Sequence, residues 1–136
     1  MSARGLDRLG KTVAFSAVVE IGTALLLLAA PALVVSWLLG VAADATVQVV
    51  SRCFGIALLA LATACWPERG SAASAPPAVR AMLIYNALIA LLLAYLATVQ
   101  QMGGPLLWPA VALHAVVGLL LVATWRRQLG TKATSS

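Results

Sequence analysis

Glu20 and Arg52 are the two formal charges that lie inside the four long apolar stretches of this chain, and His114, Tyr85 and Asn86 are polar groups in the same stretches. A carboxylate or guanidinium at bilayer depth costs several kcal/mol unless it is paired or faces a polar cavity, so each marks a candidate functional site with a partner to be found. Two chemistries fit these residue types. In the first, Glu20 is a desolvated carboxylate for which a proton and a cation compete, with Tyr85 and His114 shaping the pocket around it. In the second, Glu20 and Arg52 form a buried ion pair whose remaining donors and acceptors are satisfied by His114, Tyr85 and Asn86; this network locks helix register and carries no activity. In a third arrangement Arg52 snorkels to the outer surface and Glu20 stays protonated and hydrogen-bonded.

Helix rise places these groups at overlapping heights, with the basic residues taken as markers of the inner surface. Glu20 is nine residues past Lys11, or about 13 Å deep. Asn86 is six past Arg80, or about 9 Å deep, with Tyr85 one residue shallower. His114 precedes Trp125 by eleven residues, a depth of about 16 Å, and Arg52 precedes Trp66 by fourteen, about 21 Å. The offset of about 8 Å between Glu20 and Arg52 is one a long arginine can span by reaching inward past His114.

The elements that must hold these groups are membrane spans. The chain has 136 residues, of which 62% are hydrophobic and 10% charged, whereas a soluble domain carries roughly 45–50% apolar and about 25% charged residues. Crossing a hydrocarbon core about 30 Å thick takes roughly 20 apolar residues in a helix. Residues 13–39, 47–66, 81–99 and 106–125 meet that length. The expected fold is all-α, a single four-span transmembrane antiparallel helix bundle over residues 1–136. Each helix carries one smaller, more polar stripe, such as Ser16, Glu20 and Ala24, or Ala110, His114 and Gly118, suited to an interior seam. What remains is too short for a separate catalytic or nucleic-acid-binding domain.

The net charge of +5 sets topology. Eight of the nine basic residues fall at the N-terminus (Arg4, Arg8, Lys11), in the second connection (Arg69, Arg80) and at the C-terminus (Arg126, Arg127, Lys132). In an up-down-up-down arrangement these share one side, which the positive-inside rule makes cytoplasmic, so both termini are expected inside a bacterial inner membrane. Trp66, Trp108 and Trp125 close segment ends, where indole rings favour the interface. The implied partners are the lipid bilayer and a membrane protein or second copy, not nucleic acid.

The first stretch is 27 residues long, about 40 Å as one helix, and Pro31 predicts a kink that leaves 13–30 as the crossing and 32–39 along the outer interface. That stretch is too long for the 7–15-residue apolar core of a signal peptide, contains Glu20 and precedes three more spans, so it reads as a span. Asp44 is positioned to cap the second helix, residues 67–79 have a loop composition, and 100–105 form a Gly-Gly-Pro turn. Cys53 and Cys65 lie twelve residues apart on one helix, about 18 Å, too far for a disulfide, and read as small buried residues. No nucleophile, base and orienting group occur at a recognisable spacing, and a single histidine supplies neither a metal cluster nor a two-histidine haem site. Neither an enzyme nor a cofactor is expected.

Two resemblances bear on these residues. Glu20-Ile21-Gly22-Thr23 resembles the membrane-embedded glutamate segment of the small multidrug resistance transporters, which implies four helices and a first-helix carboxylate exchanging protons for drug cations. Over nearly the whole chain the succession Val19–Gly22, Pro31–Val35, Arg52 with Gly55–Leu61, Ala64–Pro67, Ala81–Asn86 and Leu107–Ala115 resembles a family of small uncharacterised bacterial four-helix integral membrane proteins. That likeness implies the fold and the inner membrane and transfers no catalytic residue. The expectation is an accessory or interaction subunit with a structural Glu/Arg/His network; the alternative is a small proton-coupled transporter or apolar-ligand binder using Glu20.

Overall fold

Helix caps and prolines decide where the elements begin and end. The computed structural model describes residues 3–66 and 76–133, with side chains over 9–66 and 77–127. It contains α1 (Ala3–Ala29), α2 (Pro31–Leu39), α3 (Ala45–Ala64), α4 (Pro76–Thr98) and α5 (Leu107–Ala133). Four segments are long and apolar enough to cross a membrane: Leu9–Ala29, Ala45–Ala64, Pro77–Thr98 and Leu107–Arg127. The chain is an all-helical, four-span bundle, as its composition predicts.

The expected kink at Pro31 is a full break. Ala30 leaves helical space at φ −139°, ψ 60°, because proline offers no N–H to continue the ladder and crowds the preceding turn. The broken ladder leaves α1 with carbonyls that have no amide partner of its own. Asp44 caps α3, its carboxylate accepting from the Val47 amide at 2.8 Å. α4 starts at Pro76, five residues earlier than the composition suggests, since Pro76 and Pro77 occupy a first turn whose N–H groups need no helical acceptor. The rest of the predicted 67–79 loop, residues 67–75, lies outside the described residues.

The helices alternate in direction. Leu9, Val13 and Ala17 of α1, Ala62 and Cys65 from the end of α3, Val79 and Met82 of α4, and Val117 and Leu121 of α5 form one apolar cluster at the end that carries both termini. A smaller cluster of Ala24, Leu27 and Leu58 lies toward the other end. Packing is uneven: α1 lies along α3 and α5, and α5 along α4, while α3 and α4 scarcely meet. The bundle is therefore two hairpins, α1/α3 and α4/α5, joined along an α1–α5 seam. Gly55 permits the close α1–α3 approach, as a Cβ there would stand 3.0 Å from the Ala24 carbonyl oxygen and 3.1 Å from Leu27 Cβ.

At the end opposite the termini, α2 is lashed to the α4–α5 turn. The Gly103 amide donates to the Leu39 carbonyl at 3.3 Å and the Leu106 amide to the Trp37 carbonyl at 2.9 Å. A Cβ on Gly104 would overlap the Trp37 carbonyl, so only glycine fits this contact. Away from the seam the helices present Leu88, Leu91, Val116, Leu119 and Val50, all well exposed, as the apolar belt that lipid requires.

Candidate functional site

The polar residues collect where α1, α4 and α5 meet, between the two apolar clusters. Ser16 and Glu20 stand one turn apart on α1; α4 supplies Met82, Tyr85 and Asn86, again one turn deep; α5 supplies His114. Spacings of three and four put each set on a single helix face.

Asn86 is the hub, and its bonds fix its orientation. Its Nδ2 donates to the Met82 carbonyl at 2.8 Å and to Ser16 Oγ at 3.2 Å. Because a carbonyl can only accept, the amide nitrogen must lie on that side, which leaves Oδ1 to accept from His114 Nδ1 at 2.9 Å. A neutral His114 therefore carries its proton on Nδ1 and offers Nε2 as an acceptor. Ser16 passes its own hydroxyl proton to Met82 Sδ at 3.6 Å. The Tyr85 ring meets the imidazole edge-on, with centroids 5.8 Å apart and planes at 79°.

Glu20 is left out of this chain of bonds. It is 1% exposed, yet neither carboxyl oxygen has a hydrogen-bond partner. His114 Nδ1 lies 3.9 Å from Oε1, but its proton is already committed to Asn86. Tyr85 stands close enough to interact with the carboxyl electrostatically without closing a hydrogen bond to it. A buried acceptor in this state forfeits about 1–3 kcal/mol, and more if charged, so the geometry calls for a proton, a cation or a ligand donor at Glu20. His114 and Tyr85 are only partly buried, whereas Glu20 is fully buried beside them. Among the described residues no three of His, Cys, Asp and Glu come together to hold a metal.

Four of the five residues singled out in the sequence, Glu20, Tyr85, Asn86 and His114, thus converge. Arg52 does not. It is exposed on α3, and its Nε donates to the Leu28 carbonyl at 3.3 Å. The physical cause is the break at Pro31: it strips the last carbonyls of α1 of their amide partners, and a cation at a helix C-terminus both fills the bond and opposes the negative dipole end. Leu28 lies eight residues past Glu20, about 12 Å along the axis, so the Arg52 head is held well away from the carboxyl. The expected Glu20–Arg52 ion pair is not formed. Cys53, expected to be buried, is also exposed, on the same flank of α3, whereas Cys65 is buried.

Sequence reasoning places Ser16 on the stripe of Glu20 without assigning it to the site, and it misses Met82. Met82 lies one turn before Asn86, the position whose carbonyl a helical asparagine side chain reaches, and that spacing is the available signal. Compared with family models, with characterised proteins and with solved structures, the chain matches none.

Proposed function

We propose that this multi-pass membrane protein uses Glu20 as a proton-coupled binding carboxylate for a small, largely apolar ligand with a cationic or hydrogen-bond-donating group. One observation carries the reading: a fully buried carboxyl has no hydrogen-bond partner, while the neighbouring His114 and Asn86 donors are spent on other acceptors and the Tyr85 hydroxyl stands beside it without closing a bond. A group kept only to fix helix register would be paired, because an unpaired buried charge is destabilising. Here Ser16, Asn86 and His114 already cross-link three helices by themselves, so Glu20 is surplus to structure. In this reading the protein sits in a bacterial inner membrane with both termini cytoplasmic. Lys11, Arg80, Arg126 and Arg127 support that orientation, because they cluster around the end that holds both termini, while the opposite end carries Asp44.

A second reading, an accessory or interaction subunit, is favoured by the same Ser16–Asn86–His114 chain taken alone, since it rigidifies the bundle without needing a ligand.

The separating experiment is labelling by dicyclohexylcarbodiimide in proteoliposomes, followed by peptide mass mapping. A lipophilic carbodiimide reacts with a protonated carboxyl that communicates with the membrane. Glu20 is expected to label in the folded protein and to label less as pH rises, and Glu20→Gln is expected to abolish proton-driven uptake of a hydrophobic amine panel while the protein still folds. Labelling that occurs only after unfolding would overturn the binding role and leave the interaction subunit.

A further inference from the structure

The geometry points to Arg52 as a phosphate-binding site for a glycerophospholipid in the leaflet around α2. Arg52 lies seven residues into α3, about 10 Å below its capped end and level with the end of α1. Its Nε–H donates to the Leu28 carbonyl at 3.3 Å, which tethers the guanidinium beside the end of α1. Its two Nη groups donate to nothing among the described residues, and the side chain is exposed. Among the described residues no acid pairs with Arg52: Val49 and Ile56, on the same flank, are exposed hydrophobics (59% and 61%). Asp44, the nearest acid along α3, lies eight residues away, about 12 Å along the axis, with one carboxylate oxygen engaged by the Val47 amide.

A cation held at this depth on a lipid-facing flank must find its anion in the lipid. The long arginine stem directs its head up the helix toward the interface, where the acceptors are phosphodiester oxygens. A guanidinium offers two parallel N–H groups that match two phosphate oxygens, which an ammonium does not. The bond from Nε adds to this, since a head already tethered near the site loses less freedom on binding. The break at Pro31 thus has a second outcome: the orphaned carbonyl that it creates orients a lipid receptor. This inference is independent of any role for Glu20.

The test uses the full chain in nanodiscs. With guanidinium-15N arginine, 15N–31P dipolar dephasing in solid-state NMR is expected in phosphatidylglycerol discs and is expected to vanish in discs of a neutral galactolipid. Native mass spectrometry after mild delipidation is expected to show phosphatidylglycerol retained by the wild type and weakened roughly tenfold by Arg52→Met, with Arg52→Lys intermediate. No dephasing in the wild type, or equal retention of the galactolipid, overturns the proposal. Displacement of the lipid by millimolar inorganic phosphate would assign the site to free phosphate and overturn the lipid assignment. Should Arg52→Met fail to fold, the wild-type NMR experiment decides alone.

Discussion

The separation of Glu20 from Arg52 has an energetic signature that a double-mutant cycle can read. Removing one partner of a buried ion pair costs about 3–5 kcal/mol, because the other charge is stranded, and removing both recovers much of that loss. The structure predicts neither effect. Glu20→Gln replaces an unpartnered carboxyl by a neutral amide of the same shape, so stability should stay within about 0.5 kcal/mol or rise. Arg52→Met removes one charge-assisted bond to the Leu28 carbonyl, long at 3.3 Å and exposed, which sets its cost near the low end of the usual range, about 1 kcal/mol. With the two heads held about two helical turns apart along the bundle axis, the double variant should equal the sum of the singles within about 0.5 kcal/mol. Reversible unfolding in mixed bicelles, measured by steric trapping, gives the four free energies. A Glu20→Gln cost above about 2 kcal/mol that Arg52→Met rescues would show that the two side chains do pair and would refute their separation.

Other perturbations reach the remaining contacts. Asn86→Ala should destabilise by about 1–2 kcal/mol in the same assay, from two lost interhelical bonds; it should also free the His114 Nδ1–H for the Glu20 carboxyl 3.9 Å away, seen as a shift of the imidazole 15N resonance that Glu20→Gln abolishes. Pro31→Ala lets the helical ladder run on, so Arg52→Met should cost less than about 0.3 kcal/mol in that background, and an undiminished cost would discount the capping role. Gly104→Ala places a methyl group against the Trp37 carbonyl and should lower stability by more than about 1 kcal/mol, with increased hydrogen exchange at the Gly103 and Leu106 amides. A membrane-permeant maleimide should modify Cys53 well before Cys65 in the folded protein, by intact-mass analysis, as Cys53 is exposed and Cys65 buried.

The spans and most of the site are legible in the sequence because they rest on rules with one variable. Apolar length gives the crossings, and helix rise measured from flanking basic residues puts Glu20, Tyr85, Asn86 and His114 at overlapping heights. Arg52 escapes this reading for a definite reason. Side-chain charges alone show one acid at depth and so pair the arginine with it; the acceptor that wins is a backbone carbonyl, invisible in composition and created by a proline on a different helix. The kink at Pro31 is legible, but its consequence for the carbonyls before it is not. Which helices share a seam is likewise hidden. Short connections fix that neighbours in sequence are antiparallel, yet nothing in the apolar pattern says that α1 should favour α5 while α3 and α4 stay apart.

The lashing of α2 to the α4–α5 turn makes the molecule mechanically one-sided. At that end the two hairpins are tied by main-chain bonds, Gly103 to Leu39 and Leu106 to Trp37; at the end with the termini they are held by side-chain packing, through residues such as Leu9, Val13, Val117 and Leu121. Between these ends the Ser16–Asn86–His114 chain adds a side-chain tie across the same seam. Parting the two hairpins therefore breaks main-chain hydrogen bonds at the α2 end but only apolar contacts at the end with the termini.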